Sequence, residues 1–114
     1  MSRIIYSDQA NRDIVRLADF MQEIEPSIKQ RVILTILEGI QILSDFPCIA
    51  KPAQDEKYKH LRELFIPFGG SGYSVLYEYR QPSDTVLIAA IRHTRESGYK
   101  MQLDWANIKL LCSD

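Results

Sequence analysis

Between His60 and Arg92 the apolar residues of this chain leave helical spacing and form three short strand-like runs in succession. "HLRELFI" (60–66) is the first such run, ended by Pro67 and the turn residues "GGSG" at 69–72. "YSVLYEY" (73–79) is the second, with Tyr73, Val75, Tyr77 and Tyr79 set against Ser74, Leu76 and Glu78. "QPSD" (81–84) then makes a turn with Pro82 at its second position, and "TVLIAAIR" (85–92) follows, apolar on both faces. Strands joined by connections this short run antiparallel, because a parallel return needs a crossover of a dozen or more residues. A three-stranded meander over residues 60–94, with its third strand inside the sheet, is the frame into which everything else must fit.

The first half of the chain is helical. "RIIY" (3–6) is a short β-branched strand, residues 1–6 in all, and Ser7-Asp8 supply a helix N-cap directly after it. Ala10, Ile14, Leu17, Ala18 and Met21 then recur at helical spacing, with Arg12, Asp13, Arg16 and Asp19 on the other side. Pro26 ends this helix and opens a second, in which Ile28, Val32, Ile36, Gly39 and Leu43 form one stripe beside Ile33, Leu37 and Ile40. So wide an apolar face predicts packing against two neighbours, the partner helix and the sheet. Gly39 costs about 1 kcal/mol against alanine in a helix interior unless close packing requires it. The helical hairpin spans residues 8–46 and Pro47 stops it; residues 48–58 read as a loop. Met101, Trp105 and Ile108 have the spacing of one face of a short C-terminal helix over 100–112. The fold class is α+β: an antiparallel-dominated sheet, with an N-terminal strand, three consecutive strands and a two-helix hairpin packed on one face, in one domain over 1–114.

Composition excludes more than it identifies. With 46% hydrophobic and 25% charged residues the chain is ordinary globular material, not disordered or fibrous. No apolar run is long enough to cross a membrane and "MSRIIYSD" is no signal peptide, so a cytoplasmic protein is expected, with Cys48 and Cys112 reduced. His60 and His93 lack the spacing of metal ligands, and no phosphate loop follows a strand into a helix, so neither metal nor cofactor is expected. The net charge of −1 conceals a division: residues 1–56 hold six Lys/Arg against nine Asp/Glu, and residues 57–100 hold seven against four. Local potential, not the total, is what attracts a polyanion or an acidic peptide.

The chemistry-bearing residues gather where the last strand ends, in "IAAIRHTRESGY" (88–99). Arg62, Arg80, Arg92, His93 and Arg95 lie on or beside the meander, and alternation sends Arg92 and His93 to opposite faces unless a bulge intervenes. Arg62 and Arg92 are candidate phosphate-binding cations, His93 a general acid or base, and Glu96 or Tyr99 a second proton carrier, a set suited to RNA cleavage by an internal 2′-hydroxyl. The same cations suit a docking surface for an acidic protein segment. Ordinary solvated charges around a half-buried histidine account for them equally well.

"LRELFIPFGGSGYSVLYEY" (61–79) and "VLIAAIRHTRESGY" (86–99), in this order of elements, resemble the ParE/RelE superfamily of toxins from type II toxin–antitoxin modules. The likeness spans about residues 3–99 and is closer to the ParE, plasmid-stabilisation branch. It implies a growth-arresting toxin neutralised by a cognate antitoxin and meeting operator DNA only within that complex. In the ParE branch the implied target is DNA gyrase and the protein is no enzyme. In the RelE branch it is mRNA on the ribosome, and the toxin is an endoribonuclease with Arg62, Arg92 and His93 at its phosphate-binding and proton-transfer positions. Arg62, Arg80, Arg92, His93, Arg95 and Tyr99 are then the expected surface for target or antitoxin. The acidic helical hairpin is a poor surface for ribosomal RNA, which favours the protein target.

Overall fold

The computed structural model describes residues 1–100. Five strands form one sheet in the order β1-β5-β4-β3-β2, where β1 is Arg3–Tyr6, β2 Lys51–Pro52, β3 Arg62–Phe68, β4 Ser71–Arg80 and β5 Thr85–His93. β1 runs parallel to β5 and every other pairing is antiparallel. Two helices, α1 (Asp8–Ile24) and α2 (Lys29–Gln41), cover one face of the sheet. The α+β arrangement expected from the alternating runs is the one observed. The expected C-terminal helix over 100–112 lies outside the described residues.

Local chemistry explains most boundaries. Ser7 caps α1 by accepting a hydrogen bond from the Ala10 N–H at 3.0 Å, and Pro26 opens a 3₁₀ turn (Pro26–Ile28) between the helices. Strand β3 does not end at Pro67 as the sequence suggests, but continues to Phe68, with Pro67 opposite Gly72. Strand β2 reaches only as far as Arg62 and Glu63, so β3 is an edge at Pro67 and the missing N–H removes no bond on that side. Gly69, at φ +60°, makes the tight turn into β4. Residues 51 and 52, expected in a loop, form β2, too short and too proline-bearing to show a period.

The main core lies between the helices and the sheet. Ala10, Leu17, Val32, Ile36, Ile40 and Leu43 meet Tyr73, Val75, Tyr77, Val86, Ile88 and Ile91 there. Leu37, expected beside the α2 stripe, is 37% exposed instead. At Gly39 a Cβ would stand 2.7–2.8 Å from three side-chain carbons of Ile66, so this glycine is where α2 comes down onto β3.

Alternation along β5 breaks once. Leu76 pairs with Ala90 but Tyr77 pairs with Ile88, which leaves Ala89 as an extra residue in β5. Val86 and Ile88 therefore face the helices before the bulge, and Ile91 and His93 face them after it. Asp13, which helical spacing places toward solvent, is fully buried. Its Oδ2 accepts the Ile91 N–H at 2.8 Å, and its Oδ1 accepts from Gln9 Nε2 at 2.8 Å.

Two stability predictions follow from these contacts. Asp13→Ala leaves a buried N–H without an acceptor and should cost about 3 kcal/mol in urea unfolding, with Asp13→Asn losing about half as much. Gly39→Ala gains about 1 kcal/mol of helix propensity but strains Ile66 by about 2, so a net loss of about 1 kcal/mol is expected. Ile66→Val removes only one of the three crowding carbons, Cδ1, so combining it with Gly39→Ala should recover only part of that loss.

Candidate functional site

Strand β5 ends in a compact turn whose hydrogen bonds are nearly all internal. The His93 N–H donates to Glu96 Oε1 at 2.9 Å, and the Glu96 N–H donates back to the His93 carbonyl at 3.0 Å. Beneath the turn, the Arg92 guanidinium donates to the carbonyl oxygens of His93 and Thr94 at 3.3 Å and of Glu96 at 2.8 Å. From α1, Arg16 Nη1 meets Glu96 Oε2 at 2.5 Å, while Arg16 Nη2 lies 3.3 Å from Asp13 Oδ1 and from the Ile91 carbonyl oxygen. One arginine thus ties helix, strand and turn together. Arg16 belongs to the site although its spacing suggested the solvent side.

His93 has a fixed tautomer. The Arg95 N–H, which can only donate, points to Nδ1 at 3.1 Å, so Nδ1 carries the lone pair and Nε2 the proton. Nε2 is 3.0 Å from Ser71 Oγ, and the ring stands edge-on to Tyr73 at 5.4 Å. Burial lowers the pKa of this histidine below its ordinary value, and Arg95 and Arg92 push in the same direction against Glu96. The ring is therefore neutral near pH 7, with its only lone pair already occupied.

The other residues singled out from the sequence do not converge on it. Strand alternation puts Arg92 and His93 on opposite faces, opposite Ser74 and Tyr73 respectively, and the bulge before them turns His93 toward the helices. Arg62 lies opposite Tyr77, four residues along β4 from Tyr73 and so roughly 13 Å away. Its guanidinium donates to the carbonyls of Cys48 and Ala50 at 3.2 and 2.6 Å, which holds the loop before β2. Arg80 is at the far end of β4, 2.7 Å from Glu78. Tyr99 is on Arg92's face: its hydroxyl donates to Glu63 at 2.5 Å, and Arg92 lies over its ring at 5.2 Å. Burial first, and the Glu63 carboxylate second, raise the Tyr99 phenol far above its ordinary pKa. Arg95 alone of the expected cations is exposed beside His93.

On the helix side a groove of about 630 Å³ opens between α1 and the end of β5. Leu17, Phe20, Met21 and Ile24 line it with apolar surface, and Ser71, His93, Arg95 and Lys100 stand along its rim with the Arg16–Glu96 pair. Phe20 and Ile24 are 59% and 65% exposed, the same side of α1 one turn apart. Sequence reasoning passed over them, although two large apolar residues outside the buried Ala10-Ile14-Leu17 stripe are themselves a signal. Among the described residues no group of His, Cys, Asp and Glu side chains is arranged to hold a metal ion.

Comparison with known proteins agrees with this architecture. Toxin RelE3 of Caulobacter vibrioides is 31% identical over 96 residues, covering 84% of this chain and 98% of its own length. The toxin–antitoxin complex RelBE2 of Mycobacterium tuberculosis contains a chain of the same fold, with a TM-score of 0.53 at 22% identity over 81% of this chain and 96% of that one. Residues 4–98 match the family described as the ParE toxin of the type II toxin–antitoxin system parDE, and the chain belongs to that family.

Proposed function

We propose that this toxin arrests growth by disabling a protein target, DNA gyrase, and that a cognate antitoxin neutralises it in the cytoplasm through the groove between α1 and β5. The observation that carries the choice of target is the dispersal of the cations. An RNA-cleaving site needs cations at the phosphate and a free proton acceptor within hydrogen-bond reach of one another. Here Arg62 is roughly 13 Å along the sheet and committed to two carbonyls, Arg92 is folded beneath the turn on the other face, and His93 has no free lone pair. A plasmid-stabilising role and contact with operator DNA only through the antitoxin complex accompany this reading.

The groove suits an amphipathic, acidic antitoxin segment. Its floor offers apolar anchors, and its rim offers Arg95 and Lys100 to carboxylates. Rim charges govern encounter and salt dependence, and buried apolar anchors govern residence time. Arg92, expected at this surface from the sequence, contributes by holding the turn that carries Arg95.

Purified toxin should inhibit supercoiling by gyrase and leave mRNA intact in a translating extract. Ribosome-dependent cleavage of mRNA that is lost in His93→Ala and Arg62→Ala would reverse the assignment. Phe20→Lys combined with Ile24→Lys should leave toxicity in place but abolish rescue by the co-expressed antitoxin, whereas Arg95→Ala should mainly slow association. Nitrogen chemical shifts should report the Nε2–H tautomer of His93, and its titration should fall below the ordinary histidine range. Because its folded value is the lower one, the unfolded chain binds the proton more tightly. The His93 contribution to stability is thus complete above the ordinary histidine value and is lost as pH falls through the folded value.

A further inference from the structure

Hydrogen-bond direction sets the chemistry of one end of the α1–β5 groove. Ser71 opens β4 and shares the helix-facing side of the sheet with Tyr73, because residues two apart on a strand point the same way. Its Oγ lies 3.0 Å from His93 Nε2. Since the Arg95 N–H donates to Nδ1, the neutral ring holds its proton on Nε2 and gives it to Ser71. Ser71 Oγ is therefore the acceptor in that bond, and its own hydroxyl hydrogen must find an acceptor elsewhere. The groove supplies none. Glu96 is the only carboxylate among the described residues that line it, and both of its oxygens are engaged, Oε1 by the His93 N–H and Oε2 by Arg16. The side chains of Arg95 and Lys100 stand on the same rim, exposed, and form no ion pair among the described residues.

We propose that Ser71, Arg95 and Lys100 form a carboxylate subsite, which takes an aspartate or glutamate side chain of the antitoxin segment while Leu17, Phe20, Met21 and Ile24 hold its apolar neighbours. The inference rests on the reading of the groove as the antitoxin site and adds the residue that selects what enters one end of it. Three donors without a free acceptor call for a group that only accepts, and an ionised carboxylate is that side chain. An asparagine or glutamine would turn two N–H groups toward a rim that cannot receive them. Arg95 and Lys100 supply attraction with little direction, because both are exposed on long stems. Direction comes from Ser71, whose polarity is fixed through the ring behind it, and a hydroxyl bonded to a carboxylate makes one of the stronger hydrogen bonds. A phosphoryl group also only accepts, but it brings no apolar stem to a rim that lies against four apolar side chains.

Acetate is the probe for this subsite, acetamide its uncharged control, and sodium chloride keeps the ionic strength constant. In nitrogen–proton correlation spectra of the full chain, acetate should shift the Ser71 and Arg95 amides saturably, and acetamide should not. Ser71→Thr and Ser71→Val have the same shape and differ only in the hydroxyl. The threonine variant should keep acetate binding, and the valine variant should lose it several-fold with Arg95 and Lys100 intact. Equal responses to acetate and acetamide would overturn the proposal, as would equal affinity of the two variants. Inorganic phosphate saturating the same signals well below the acetate concentration would reassign the subsite to phosphoryl groups and overturn it too. The comparison of acetate with acetamide is read on unmodified protein, so it stands whether or not either variant folds. Phe20→Lys combined with Ile24→Lys tests the groove reading separately: if antitoxin rescue is lost there and acetate moves neither amide, the groove stands and the carboxylate subsite falls.

Discussion

Asp13 is the residue on which the arrangement of helix and sheet depends. Strand β1 pairs with β5 only as far as Ile88, and beyond that point the edge of β5 has no strand to bond. An unpaired backbone group buried at a helix–sheet junction costs on the order of 1–3 kcal/mol. Helix α1 supplies the missing partners from its side chains: Ser7 donates its hydroxyl to the Ala89 carbonyl at 2.8 Å, and Asp13 accepts the Ile91 N–H. Arg16 then reaches the Ile91 carbonyl and continues to Glu96. A short first strand followed at once by a helix is therefore a working substitute for a longer strand. The substitution fixes the height of α1 against β5, and with it the width of the groove beside His93.

The extra residue in β5 decides which chemistry that groove can contain. In a regular strand the even positions after Val86 and Ile88 would continue toward the helices, bringing Arg92 into the groove and sending His93 away. Ala89 reverses the parity. Arg92 then stabilises the turn from the far side, and a neutral imidazole takes its place in the groove. A groove with an arginine at its centre would suit phosphate; one with a neutral ring, a serine hydroxyl and an apolar wall suits a protein segment.

What could be read from the sequence was what repeats. The Ala10-Ile14-Leu17 stripe, the alternation of Tyr73, Val75 and Tyr77 and the Gly69 turn each express a local period or a local conformational demand, and each is found in the fold. The resemblance carried by residues 61–79 and 86–99 located the family. Asp13 and Arg16 were not legible, because each acquires its meaning from a partner about eighty residues away. A charged residue on the outer side of a helix looks the same whether water or a strand edge receives it. The bulge leaves no mark either, since "LIAAI" is apolar at every position and supports both parities.

Charge counted along the chain was the least informative guide to the site. The positive balance of residues 57–100 includes Arg62, Arg80 and Arg92, all engaged with carbonyl or carboxylate oxygens within the fold. Arg16, from the acidic half, is spent in the same way on Asp13 and Glu96. The exposed cations left at the groove are Arg95 and Lys100. Two phosphate contacts to a single strand give a salt exponent of only about −1.4, too little electrostatic attraction to seat mRNA by charge. Two cations at the rim of an apolar groove are sufficient to steer an acidic peptide, whose affinity then rests on the surface of Phe20, Met21 and Ile24. The fold thus consumes Arg16, Arg62, Arg80 and Arg92 internally, and the two cations exposed at the groove direct a protein partner more effectively than a nucleic acid.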